Sequence, residues 1–388
     1  MDFTFAPEHV ALRRMIREFA QAEVVPLAME IDREHRVPQE TMRKLGEMGL
    51  LGVCFPQEYG GMGAGEIGYC ILMEELGRVC TSTTTNVGAH IGIGAMVIYL
   101  DGNEEQKKRY LTPLARGEKI AAFGLTEPNA GSDAAAIRTR AVREGDSWIL
   151  DGGKVFITNG GYADIITVMA VTDPALGARG GVTAFIVETD WEGFQVAREE
   201  DKMGIRGTST AELVFEELRV PQENVLGKVG EGFVSFMKSL DMGRLTLGAA
   251  CLGGAQASLE WAVRWAGTRK QFGAELAHKQ SIQWMIANVA TEVEALRSLV
   301  YRVGWMVDMG QPFTQLAAMC KLYGSEVASR AVDTALQIHG GLGLSRDFPL
   351  ELAFRDARIA EIFEGTNEVQ RIVIASNIFR ERGVRIRP

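Results

Sequence analysis

The stretch Ile120-Ala-Ala-Phe-Gly-Leu-Thr-Glu-Pro-Asn-Ala-Gly-Ser-Asp133 is where the chain changes its hydrophobic period, and its reading decides the fold. Before it, from Pro7 to about Arg116, apolar residues recur at helical spacing, as in Val10, Leu12, Met15, Ile16 and Phe19. Breaks are expected at Pro26, Pro38, the segment Pro56–Gly65 and Asp101-Gly102. After it, as far as Leu226, come short runs rich in β-branched and aromatic residues, at 121–126, 148–150, 154–158, 165–171, 182–187 and 211–215. The pairs Gly145-Asp146 and Asp151-Gly152 read as turns between them. Short strands with no helices between them indicate an antiparallel sheet rather than a βαβ layout. Beyond Gly230 the helical period returns, in runs near 231–268, 278–310, 314–340 and 367–382. The expected architecture is multidomain α+β: an N-terminal α-helical domain (1–118), a middle antiparallel β-barrel or sandwich domain (119–229) and a C-terminal four-helix-bundle domain (230–388).

With 46% hydrophobic and 23% charged residues, the 388-residue chain is long and apolar enough to bury several cores, and disorder is not expected. A net charge of −9 with dispersed basic residues argues against a nucleic-acid partner. The five cysteines are odd in number and contain no CxxC pair, so no disulfide framework is expected. The five histidines show no metal-ligand spacing, and no metal is expected. No run reaches the length of a membrane span, and Met1–Pro7 lacks a signal-peptide pattern, so the expected location is cytoplasmic, or the mitochondrial matrix if a leader was removed.

The segment Gly63-Ala-Gly-Glu-Ile-Gly68 formally matches GxGxxG. It follows a turn rather than a strand, and no acidic residue lies about 20 positions on, so it reads as a glycine-rich loop entering a helix. Five other stretches can carry chemistry. Phe123–Asp133 is a strand ending in a loop of small and hydroxyl residues, which lets a planar ligand approach the main chain. In Lys154-Val-Phe-Ile-Thr-Asn159, alternation places Phe156 and Thr158 on one face. Thr268-Arg-Lys-Gln-Phe-Gly273 with Gln280 offers a guanidinium for phosphate oxygens or a solvated basic turn. Gln337-Ile-His-Gly-Gly-Leu-Gly343 caps a helix, with His339 read as a packed residue. Asp241-Met-Gly-Arg244 puts an acid and a base on one helical face.

The last stretch, Glu361-Ile-Phe-Glu-Gly-Thr-Asn-Glu-Val-Gln-Arg371, sets Glu364 on a turn before an amphipathic helix opened by Thr366 or Asn367. Locally this is a surface turn or a base whose pKa apolar neighbours raise.

In their order and spacing, Gly124–Asp133, Gln337–Gly343 and Phe363-Glu-Gly-Thr366 resemble the acyl-CoA dehydrogenase family over essentially the whole chain. The resemblance implies FAD as cofactor, an acyl-CoA substrate and Glu364 as the base that removes the α proton while hydride passes to the flavin. It also implies an electron-transferring flavoprotein as acceptor and a homotetramer. Phe123, Leu125, Thr126, Gly131, Ser132, Phe156, Ile157 and Thr158 would meet the flavin and ribityl side. Arg269, Phe272, Gln280, Gln337, Ile338, His339, Gly340 and Gly341 would hold the pyrophosphate and adenosine part from a partner subunit. Thr366, Asn367 and Glu368 would lie beside the base. Ser132, Asp241, Met242, Gly243, Arg244 and Gly365 would bind substrate. Some branches carry the base at the position of Gly243, so a glycine there with Glu364 present fits the straight-chain branch. Phe156 stands where many members have tryptophan, and Leu352 where Lys or Arg is usual. An acyl-CoA oxidase and a catalytically silent acyl-CoA-binding scaffold are the alternatives.

Overall fold

The computed structural model describes residues 4–384. The first helices are α1 (Pro7–Phe19), α2 (Val25–Glu34), α3 (Gln39–Glu47), α4 (Gly65–Gly77), α5 (Thr81–Gly88) and α6 (Met96–Asp101). Pro26 does not interrupt them. A π turn at Ala20–Val24 joins α1 to α2, and Pro26 falls in the first turn of α2, where a missing N–H breaks no ladder bond. The glycine-rich segment opens α4 as a plain loop. Its first N–H groups are taken by a distant carboxylate: Glu66 and Ile67 donate to Asp308 at 2.6 and 3.1 Å.

The middle region is one sheet built from β1 (Ala121–Gly124), β2 (Arg140–Glu144), β3 (Ser147–Thr158), β4 (Ile165–Val171), β5 (Val182–Glu188), β6 (Phe194–Glu199), β7 (Thr210–Pro221) and β8 (Val225–Leu226). Its order is β6-β7-β3-β2-β4-β5-β8, with β1 also on β4. The pairing is antiparallel except that β1 and β2 run parallel to β4. Asp151-Gly152 is not a turn. β3 runs through it, and the register with β7 shifts between Leu150 and Gly152. A bulge carries the same Asp/Gly signature as a turn, which is why the pair misleads.

The C-terminal part contains α7 (Gly232–Thr268), α8 (Gln280–Asp308), α9 (Thr314–His339), α10 (Leu350–Ala357) and α11 (Asn367–Glu381). Among the described residues, no helix is long and apolar enough to cross a membrane.

Buried polar contacts lock these parts together. His90 accepts from the Ala121 N–H at 3.0 Å and, through Nε2, contacts the Leu114 carbonyl at 3.1 Å, which pins the start of β1. Burial pushes its pKa down to about 4, so it stays neutral. Glu74 on α4 is buried, and accepts from Arg13 of α1 at 3.0 Å and from Arg297 and Tyr301 of α8. Glu74→Ala removes the shared acceptor and leaves Arg13 and Arg297 only their longer carboxylate contacts, to Glu75 (3.7 Å) and Glu294 (3.6 Å), so a loss of about 1–3 kcal/mol is expected, read from the denaturation midpoint.

Candidate active site

Glu364 is held in an unusual backbone conformation. Its φ is +54° and that of Gly365 is +88°, so two left-handed residues follow each other, at a cost of about 1–2 kcal/mol for the glutamate. Gln370 holds the turn by donating to the carbonyls of Glu364 (3.3 Å) and Gly365 (2.8 Å). Thr366 caps α11 by accepting from the Val369 N–H at 3.3 Å. The kink sends the carboxylate toward α7, against Gly243. A Cβ at Gly243 would lie 2.9 Å from Glu364 Oε2, so any other residue there would push the carboxylate from this position.

Glu364 lines the cavity, but its Oε2 is shut from solvent and has no hydrogen-bond partner. Burial raises its pKa to about 7, and the charges of Arg244 and Lys321 keep it from rising further. Arg244 is itself buried and donates to Asp241 at 2.8 Å, while Thr314 donates to the other Asp241 oxygen at 2.6 Å. The Asp241–Arg244 pair is therefore an interior ion pair rather than a surface one. Burial nevertheless raises the Asp241 pKa.

A cavity of about 1080 Å³ opens in front of Glu364, bounded by the β1 loop, the end of β3, α5, α7, α10 and the 358–366 turn. Of the residues expected to meet cofactor or substrate, it brings together Phe123, Leu125, Thr126, Gly131, Ser132, Phe156, Ile157, Thr158, Gly243, Arg244, Gly365 and Thr366. Leu352 lines it too. Phe156 reaches it through a second bulge of β3, with φ +58° and 62% of its surface exposed.

The rest lie elsewhere in the same chain. Arg269 and Phe272 sit at a small hairpin (Lys270–Gln271 with Ala274–Glu275), and Phe272 is 94% exposed. Gln280 is exposed at the start of α8, and Gln337, Gly340 and Gly341 are exposed at the end of α9. Ile338 is buried. His339 is a packed residue: Nδ1 bonds the Ala335 carbonyl at 2.7 Å and the ring stacks on Trp265. Asp241 and Met242 do not face the cavity, and Glu368 is exposed. Asn367 turns inward, where its Oδ1 accepts from Lys321 (2.9 Å) and Ser325 (3.1 Å).

Sequence reading misses two lysines. Lys321 is fully buried on α9, and burial lowers its pKa to about 8. Its sequence signal is a lone lysine among the small buried residues Ala317, Ala318, Cys320, Gly324 and Ser325. Lys154 is fully buried beneath the β1 loop, donating to the Leu125 carbonyl at 3.1 Å and to Glu127 at 2.7 Å. Glu127 also accepts the N–H groups of Arg138 and Thr139, at 2.6 and 2.9 Å. Burial pushes Glu127 up, but Lys154 and Thr139 outweigh it and leave the carboxyl below its usual range. Lys154 falls to about 8 through burial, which Glu127 partly opposes.

Hydroxyls of Thr126, Ser132 and Thr158, an exposed aromatic ring and apolar Leu125 and Ile157 fit a flat heterocycle with polar edges. The chain matches the acyl-CoA dehydrogenase N-terminal domain over residues 6–118, the middle domain over 122–218 and the C-terminal domain over 230–379. The chain belongs to the acyl-CoA dehydrogenase family. Short-chain-specific acyl-CoA dehydrogenase from Clostridium acetobutylicum is 46% identical over 98% of this chain and 100% of its own length. A chain in the solved structure of the electron transferring flavoprotein of Acidaminococcus fermentans matches with a TM-score of 0.96 and 44% identity, over 98% of this chain and 100% of that one. An acyl-CoA dehydrogenase from Bacillus anthracis, solved in complex with FAD, matches with a TM-score of 0.92 and 35% identity, over 98% of this chain and 68% of that one. Acyl-CoA dehydrogenases are FAD-dependent oxidoreductases acting on a CH–CH bond, and this enzyme is one of them.

In this acyl-CoA dehydrogenase, the loop from Leu125 to Ser132 owes its shape to the buried Lys154–Glu127 pair. Lys154→Met leaves Glu127 uncompensated. The expected result is FAD bound at least about tenfold more weakly, the equivalent of 1.4 kcal/mol, measured by flavin retention on dilution.

Proposed function

We propose that this enzyme oxidises a short straight-chain acyl-CoA to the trans-2-enoyl-CoA, with Glu364 as the base. The observation that carries the reading is the carboxyl of Glu364, raised to about 7 and facing a largely apolar cavity. An α C–H beside a thioester is a weak acid, so a base is useful only if it is close, desolvated and still ionised near neutral pH. The backbone kink at Glu364 and Gly365 supplies the position, and Arg244 and Lys321 keep the carboxylate charged. The main-chain N–H of Glu364 donates to the thioester carbonyl and stabilises the enolate as it forms. Bound FAD supplies the acceptor for the hydride that leaves the β carbon.

Thr126, Ser132, Phe156 and Thr158 hold the flavin, with Thr366 beside the base. Arg269, Phe272, Gln280 and the Gln337–Gly341 segment serve the site of a neighbouring copy. That none of them lines this chain's own cavity supports that role, as do the exposed Trp284, Ile372 and Phe379, and the assembly is a homotetramer. Electrons then pass to an electron-transferring flavoprotein. The short acyl group rests on the relative from Clostridium acetobutylicum.

Glu364→Gln keeps FAD and abolishes anaerobic bleaching of the flavin by butyryl-CoA; bleaching at the wild-type rate would refute the base. Only the ionised carboxylate accepts a proton, and burial has raised its pKa. Flavin reduction should therefore fall as pH drops through about 7, tenfold per unit below it, in a stopped-flow pH series.

A further inference from the structure

The cavity in front of Glu364 has an open side and a closed one. It reaches solvent past the exposed Ser132 and Asp133 of the β1 loop. Where α4 and α5 face α7 it is shut, and no residue from 71 to 90 is exposed. The hydroxyls and the ring that suit a flavin belong mainly to the β1 loop and β3, so the closed arm is the part left for an acyl group.

The polar side chains along this arm are already engaged. Thr84 and Thr85 spend their hydroxyls on the carbonyls of Cys80 (2.7 Å) and Thr81 (2.8 Å), and Ser258 spends its own on Gly254 (2.9 Å). Arg78 donates to both carboxylate oxygens of Glu260, at 2.8 and 2.9 Å. Such a wall suits an uncharged hydrocarbon and leaves a terminal carboxylate without an unpaired cation.

At Gly88 the wall carries no side chain, and the nearest atom is the tip of a methionine from the neighbouring helix. A Cβ built on Gly88 would lie 3.0 Å from Met73 Cε and would meet nothing else within 4 Å. Met73 is buried, and both residues line the cavity. An unbranched thioether is the side chain best able to fill an irregular gap of this kind.

On the reading of Glu364 as the base acting on a straight-chain acyl-CoA, we propose that Met73 sets the length of the acyl chain, its methyl lying over Gly88 and closing the arm. The far end of the chain packs against this thioether. A chain that stops short of it leaves a void, and a longer one has to displace it. The stop is the end of a flexible side chain rather than backbone. Shortening it therefore lengthens the arm without moving a helix, and a methyl added at Gly88 shortens the arm.

The test is anaerobic flavin reduction by butyryl-CoA and hexanoyl-CoA in the FAD-loaded wild type and in two variants with opposite expected signs. Met73→Ala should raise the hexanoyl-to-butyryl ratio of second-order rate constants at least about tenfold, and Gly88→Ala should lower it by about as much, since one methylene in an apolar pocket is worth roughly 10- to 200-fold. Glutaryl-CoA should leave the wild-type flavin oxidised. A ratio that stays put in either variant, a shift of the same sign in both, or bleaching by glutaryl-CoA at the butyryl rate overturns the proposal. A wild type bleached by neither straight-chain thioester refutes the dehydrogenase reading itself, and the stop falls with it. Melting temperature and FAD content, measured alongside, identify a folding defect, which lowers both rates and leaves their ratio unchanged.

Discussion

A carboxylate enclosed against a helix backbone, with one oxygen unbonded, is the constraint around which this molecule is arranged. Burying an ion without a partner costs several kcal/mol, and the usual escape is a direct salt bridge or permanent protonation. Glu364 takes neither route. Gly243 removes the side chain that would collide with it, and two left-handed residues aim it. Arg244 and Lys321 act on it through space while their own hydrogen bonds go to Asp241 and Asn367. The cations therefore stabilise the ion without bonding to Oε2.

The same division of labour recurs in the β region. The residues that line the cavity from the β1 loop are small or hydroxylated and could not hold a defined shape alone. Lys154 and Glu127 supply the shape from underneath, the lysine fully buried and the Glu127 carboxylate held by it at 2.7 Å. The groups that would touch the ligand are thus backed by a set of interior charges joining strand to loop and helix to helix.

That backing separates the features legible in the chain from those that were not. The long helices α7, α8 and α9 were legible, because neither a strand nor a loop sustains a helical period over more than 25 residues. α10 was missed, since eight residues after a proline are too short for the pattern to stand out. β2 and β6 were missed because they are mostly exposed, so no alternation of apolar and polar residues shows. In the site, Glu364 read locally more as a surface turn than as a base, and the ordered motifs over the whole chain are what favour the base. Lys154 and Lys321 carry no such mark. A lysine in a strand or a helix gains meaning only when the partner across the fold is known.

The π turn at Ala89–Ala95 puts Ala89 and Ile93 on the cavity wall and Gly92 against Tyr69 and the backbone of Gly243. A π turn is an α-helix carrying an extra residue, and one residue changes a helical face by about 100°. Here the extra residue is absorbed within the turn, so a single-residue deletion would close it to an α turn and change the wall at Ala89–Ala95 while the flanking helices keep their faces. Pocket shape in such a chain can therefore diverge by insertion and deletion within a helix, a route invisible to a comparison that scores only which residues occupy aligned positions.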